Sequence, residues 1–262
     1  MISVEYPAGK SALIQVVDGL LDEQLCQNFL TRMTQLWSMS FAGRTLGGVD
    51  VRTKFSEDLR YSRELLDGNW CDSDTKLEEQ ICQAISSAVA IYKQEYRHLD
   101  EWVNVADCGF QVQRYLKACG YYRPHVDSFP APFSTISDRV LAMVIYLNDV
   151  DYGGETNFPL HEVAVTPKAG RIVFFPATWT HLHESRVPIS SDKWIISSFI
   201  NNLQPMNIEP PQPIENTHHE HDEHDHEHHE SPPLILGGLQ DLIDDADHSH
   251  DEPKRKSREP KK

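Results

Sequence analysis

The hydrophobic pattern of this chain changes period close to residue 109, and that change limits the folds open to it. Before it, apolar residues recur at helical spacing. Leu25, Phe29, Met33 and Trp37 stand four apart and share one helical face. Leu77, Ile81, Ile85, Ala88 and Tyr92 predict a second helix over about 75–96, with Thr75 and Glu78 spaced as a capping box. Ahead of both, 12–17 (ALIQVV) reads as a strand that Asp18-Gly19 turns into the first helix. Between the helices, 41–62 holds Gly43, Gly47 and Gly48 without a clear period and predicts loop or irregular strand.

After the change, the apolar runs are short and turns separate them. Phe110 to Gln113 alternates apolar and polar, as a half-buried strand does. The run 140–147 (VLAMVIYL) is continuous, which predicts a strand covered on both faces. Further strands are expected over 162–166, 171–175 and 193–200, with turns at 151–154, 167–170 and 188–192. Helices first and short strands later suggest an α+β layout in which helices buttress a β-sandwich. Three regions follow: a strand and helix support region over 1–107, a core over 108–205, and a tail over 206–262.

The tail is compositionally distinct. Of the net charge of −16, it carries −9 and residues 1–205 carry −7. It opens Pro-rich, continues through an unbroken His, Asp and Glu tract over 218–230, and closes on basic PKRKSREPKK. Such a composition buries too little apolar surface to offset chain entropy, so the tail is expected to be largely disordered. Leu234, Ile235, Leu236, Leu239, Leu242 and Ile243 would allow a short amphipathic helix over 234–244 against a partner. The acidic core argues against nucleic-acid binding. No N-terminal signal pattern and no apolar run long enough for a bilayer stand out, so no membrane partner is expected. Five cysteines without a CxxC spacing fit a reducing, cytoplasmic setting.

The chemistry-bearing residues begin with Tyr121-Tyr122-Arg123-Pro124-His125-Val126-Asp127. In an extended segment, positions two apart point to one side, so His125 and Asp127 would offer a nitrogen and a carboxylate to one point. A second imidazole would complete the two-histidine, one-carboxylate face of non-haem iron, with open positions left for reactants. An isolated His-x-Asp is more often a pair of surface polar residues. His181 and His183, two apart in THLHES, could each reach the same side. Lys193, opening an apolar strand, either snorkels to solvent or meets an anion. Two rival readings come from the tail. Its His218, His219, His221, His224, His226, His228 and His229 suit a low-specificity binder of divalent metal ions as well as a merely solubilising segment. Alternatively, 234–244 docks a partner and the core is catalytically dead.

Over most of 13–200 the chain resembles the prolyl 4-hydroxylase-like branch of the 2-oxoglutarate/iron(II) dioxygenase superfamily. The resemblance rests on VVDGLLDEQLCQNFL, Gln113-Arg114-Tyr115, Pro124-His125-Val126-Asp127, Asp138-Arg139 followed by MVIYLNDV, GGETNFP over 153–159, His183 with Val187-Pro188, and Lys193-Trp194. It implies a double-stranded β-helix, a jelly-roll, with N-terminal supporting helices. It implies His125, Asp127 and His183 as metal ligands and catalytic residues, because the family's spacing from distal histidine to basic residue selects His183 over His181. It also implies Lys193 on the 5-carboxylate of 2-oxoglutarate, and hydroxyls of Tyr115 and Thr156 in the cosubstrate pocket. The stretch between Tyr115 and His125 is one residue longer than the common family spacing and places its glycine later. The implied cofactors are Fe(II), 2-oxoglutarate, O2 and L-ascorbate. The implied reaction hydroxylates a peptidyl proline or another amino-acid-like substrate, in a peptide, a protein or a small molecule, and releases succinate and CO2. A carboxylate at Asp127 fills the position that halogenase relatives leave to a halide, which favours hydroxylation. Arg44 to Val49, ahead of Val51-Arg52-Thr53, would border the substrate entrance or simply connect strands.

Overall fold

The computed structural model describes residues 1–45, 47–99, 105–107, 110–129 and 139–202. The tail, its His-rich tract, the 234–244 helix, and Asp138 of the motif lie outside the described residues. The elements are β1 (Ser3–Glu5), β2 (Gln15–Asp18), α1 (Glu23–Leu36), β3 (Phe41–Ala42), β4 (Lys54–Phe55), β5 (Glu57–Tyr61), α2 (Arg63–Leu66), α3 (Asp72–Glu95), β6 (Val105–Asp107) and β7 (Phe110–Tyr115). They continue with β8 (Tyr121–His125), β9 (Arg139–Tyr146), β10 (Thr156–Phe158), β11 (Val163–Val165), β12 (Ile172–Pro176), β13 (His183–Ser185) and β14 (Lys193–Asn202).

Two antiparallel sheets result. The larger runs β1-β2-β12-β9-β14-β7-β5-β3, with β6 also on β14; the smaller runs β11-β10-β13-β8-β4. This is an α+β chain with a jelly-roll core and supporting helices. The larger sheet is covered on both faces, which is why its strands read as continuous apolar runs. On β12, Ile172 and Phe174 pack toward Phe29, Met33, Ile81, Ile85 and Tyr92 of the helices. Val173 and Phe175, one residue out of phase, pack with Ala142, Val144, Tyr146, Ile195, Phe158 and Val165 in the sandwich interior. The two-residue period thus divides one strand between two cores.

Several local expectations shift. The second helix starts earlier, with its capping box on Cys71 and Asp74 instead of Thr75 and Glu78. Asp74 is buried there because Arg32 grips it at 2.8 Å through two nitrogens and the Tyr61 hydroxyl donates at 2.9 Å. The 41–62 segment resolves into β3, β4 and β5. Its period was hidden because Lys54 and Asp58, polar by type, are core residues bonded to each other at 2.8 Å. The strand expected over 12–17 begins only at Gln15, after a short turn of helix over Lys10–Ala12.

Candidate metal centre

β8 ends at His125 and β13 begins at His183, and these two residues are direct partners across the small sheet. Asp127 lies beyond the end of β8, so it is not brought round by a strand's two-residue period as expected. A bend turns it instead: the Asp127 and Ser128 amides both donate to the Ala177 carbonyl, at 3.0 and 2.8 Å. Arg139 donates to the Asp127 main-chain oxygen at 3.0 Å. The result sets Asp127 Oδ1 3.7 Å from His125 Nε2 and Oδ2 3.4 Å from His183 Nε2. One donor atom from each residue lies within 4.8 Å of the others.

Main-chain oxygens orient both rings. His125 Nδ1 donates to the Arg123 carbonyl at 2.8 Å, and His183 Nδ1 donates to the His181 carbonyl at 3.0 Å. With the proton held on Nδ1, each Nε2 presents its lone pair toward Asp127. Tyr122 stacks on the His125 ring at 3.4 Å between centroids, and Phe175 meets His183 edge-on at 4.6 Å. Burial, reinforced by the neighbouring His183, pushes the His125 imidazole down to about 4, so it is neutral and able to ligate at ordinary pH.

His181 does not join this cluster. Its Nε2 contacts the Ala12 carbonyl at 2.7 Å, its Nδ1 the Thr180 hydroxyl at 2.9 Å, and its ring stacks on His161. Both nitrogens are occupied away from Asp127. His161 is half-buried by that stack.

The three residues expected around a cosubstrate converge on one spot. Lys193 is 1 % exposed, and its Nζ donates to the Gly154 carbonyl at 2.9 Å and to the Ser185 hydroxyl. Tyr115 is its direct partner on β7, with the ammonium 4.5 Å from the ring centroid. Thr156 faces Ser185 across β10 and β13, and its hydroxyl accepts from Tyr146 at 2.6 Å. Tyr115 donates to Gln113 Oε1 at 2.7 Å. Among the described residues Lys193 makes no ion pair, and burial lowers its pKa to about 7. A buried ammonium is costly, and this cost, only partly offset by the nearby Glu155, is what lowers the pKa. Tyr122, Arg139, Gln113 and Ser185 had carried no signal beyond residue type and position near a motif.

The donor set fits a divalent first-row metal: two imidazoles and one carboxylate, converging from one side. The buried Lys193 side chain is of a type that fits a carboxylate-bearing ligand.

Residues 110–201 match the model of the 2OG-Fe(II) oxygenase superfamily. The fold is also that of solved prolyl hydroxylases. The viral collagen prolyl hydroxylase of Paramecium bursaria Chlorella virus-1, in its 2OG complex, shares 18% identity at a TM-score of 0.54, covering 74% of this chain and 98% of that one. The Trichoplax adhaerens prolyl hydroxylase, in complex with a hypoxia inducible factor oxygen degradation domain peptide, shares 14% identity at a TM-score of 0.59, covering 74% and 85%. A Pseudomonas putida prolyl-4-hydroxylase shares 15% at 0.55, covering 74% and 95%. No curated protein matches the chain. The comparisons thus agree on a prolyl hydroxylase-like fold and on a match of residues 110–201 to that superfamily's model.

Proposed function

We propose that this protein is an iron(II)- and 2-oxoglutarate-dependent oxygenase that hydroxylates a peptidyl proline or another amino-acid-like substrate. The observation that carries the reading is the pairing of the His125, Asp127 and His183 face with a buried Lys193 on β14 that makes no ion pair among the described residues. In this reading His125 Nε2, Asp127 and His183 Nε2 hold Fe(II). Lys193 binds the 5-carboxylate of 2-oxoglutarate, and Tyr115 and Thr156 line its pocket. When bound, iron and 2-oxoglutarate supply O2 activation, with succinate and CO2 as co-products.

The chain's own residues orient and shield. The Arg123 and His181 carbonyls keep the two imidazoles in the ligating tautomer. Phe158 and Phe175 pack against the His183 ring and shield it on its buried side. Asp127 occupies the metal position that a halide would need, so hydroxylation is the expected outcome. A reducing cytoplasmic setting and L-ascorbate as reductant belong to the same proposal. Among the described residues no helix is long and apolar enough to cross a membrane.

The test uses the full chain with Fe(II), ascorbate and 2-oxoglutarate, and reads succinate with and without proline-containing peptides. Succinate formation that peptide stimulates and Asp127→Ala abolishes supports the reading. Failure to bind 2-oxoglutarate in the presence of metal removes it.

A further inference from the structure

A cavity of about 300 Å³ lies on the β3, β4 and β5 side of the molecule, lined by Phe41, Gly43, Val51, Lys54, Phe55 and Leu116 among others. That volume is at the small end for a ligand site and suits part of a substrate rather than a whole cofactor. Its walls are largely apolar, and two charged residues line it: Lys54, and Glu57, whose carboxylate is taken up by the Trp37 indole and Arg114. Lys54 is 3 % exposed. Its Nζ bonds Asp58 at 2.8 Å, and among the described residues its other two protons have no acceptor. Asp58 is itself shared, accepting from Ser56 at 2.8 Å and from Gln111 at 2.6 Å. Gly43 brings β3 down onto this group: a Cβ there would meet Ser56 Oγ at 2.2 Å and Lys54 Cε at 3.1 Å.

The cavity is linked to the metal centre by one ring. Lys54 Nζ lies 5.2 Å from the Tyr122 ring centroid, and that ring stacks on His125 at 3.4 Å. Those separations correspond to about three residues of extended chain. A group held by Lys54 would thus be a neighbour of the oxidised residue, not the oxidised residue itself.

The surroundings are cationic although the chain is acidic. Arg44 lies over Phe41, Arg52 follows Val51, and Arg123 lies over Tyr121, whose hydroxyl donates to the Val51 carbonyl. All three arginines are exposed. The nearby carboxylates are engaged. Asp50 takes the Thr53 hydroxyl and Arg52, while Glu57 takes the Trp37 indole and Arg114.

We propose that this cavity is the subsite for an acidic side chain flanking the oxidised residue of a peptide substrate, its carboxylate held by Lys54 within the field of the three arginines. The assignment rests on the oxygenase reading for the word substrate, but not for the binding event. Apolar walls accept the aliphatic stem of a glutamate, and its carboxylate oxygens accept the unmet Lys54 protons.

The experiment measures binding of fluorescent, C-terminally amidated peptides to the full chain by anisotropy. Each carries one proline, with Glu, or isosteric neutral Gln, two or three residues away on either side. The expected result is about tenfold tighter binding of a Glu peptide than of its Gln counterpart. That preference shrinks with added salt and disappears in Arg44→Glu/Arg52→Glu. These exposed positions keep the test decisive if Lys54→Met fails to fold. Equal affinity for Glu and Gln peptides overturns the subsite, as does a preference seen only with a free C-terminus. Succinate production measured in parallel separates the two claims. Turnover without a Glu preference removes the subsite alone, and a Glu preference without 2-oxoglutarate turnover removes the oxygenase reading alone.

Discussion

The main-chain oxygen of His181 accepts a hydrogen bond from Nδ1 of His183 at 3.0 Å. The two histidines that sequence spacing sets in competition are therefore partners: one turns the other toward Asp127. The oxygen belongs to the backbone, so the relationship survives truncation of the His181 side chain.

A contrast between two alanine variants follows. His183→Ala removes a ligand and is expected to weaken divalent metal binding by at least a hundredfold. His181→Ala keeps the carbonyl and should leave metal affinity within a few fold. It instead leaves the Ala12 carbonyl without its partner and should lower stability by about 1–3 kcal/mol. Equilibrium dialysis with Mn(II) and urea unfolding read the two effects. Loss of metal in His181→Ala with retention in His183→Ala would reverse the assignment.

Lys193 sets a pH dependence. Burial lowers its pKa to about 7 in the ligand-free protein. Only the protonated form offers a charge to a carboxylate, and that form declines as pH rises past 7. Affinity for 2-oxoglutarate should accordingly hold steady below pH 7 and fall by up to tenfold per unit above it. Binding above pH 7 should take up a proton, because the arriving carboxylate restores the charged form. Calorimetry in buffers of different ionisation enthalpy checks this. A flat affinity between pH 6 and pH 9 would mean that burial does not bring the Lys193 pKa down into this range.

Much of the fold was legible because both cores write themselves into apolar residues at a readable period. The β9 run is continuous because its two faces meet helices on one side and the sandwich on the other. What was not legible was polar burial and short strands. β4 and β5 carry Lys54, Glu57 and Asp58, and no hydrophobic count assigns such residues to an interior. β10 and β13 have three residues each, too few to show alternation. Within the site, motif spacing named His125, His183 and Lys193, and the fold brings His125 and His183 together with Asp127. Asp127 comes round by a bend fixed from Ala177, a contact about fifty positions away that only the folded chain supplies.

Asp74 supplies a second pH effect, on stability. Burial alone would raise its pKa, but Arg32, the Cys71 amide and thiol, and the Tyr61 hydroxyl outweigh it and hold the carboxyl at about 2. A carboxylate with a depressed folded value contributes stability that is complete above its unfolded pKa, about 4. That contribution is lost as pH falls from about 4 through 2. The slope of unfolding free energy against pH in this window should flatten in Asp74→Asn, which should also be less stable at pH 7. Urea titrations at intervals between pH 2 and pH 7 provide the comparison; an unchanged slope removes Asp74 as its source.

The Lys54–Asp58 pair makes the sharpest energetic prediction, because both side chains are almost fully buried, at 3 % and 0 % exposure. Removing one partner of such a pair strands the other charge, at a cost of about 3–5 kcal/mol. Lys54→Met should fall in that range, since Ser56 and Gln111 still donate to Asp58 but bring no charge. Removing both charges is different. In Lys54→Met/Asp58→Leu nothing is left ionised in the interior, so most of the loss should return and the two substitutions should be strongly non-additive. Urea unfolding of the two singles and the double closes the cycle. A coupling near zero would mean that water reaches the pair. It would then be an ordinary solvated contact, and Lys54 would have no unmet protons to offer a substrate.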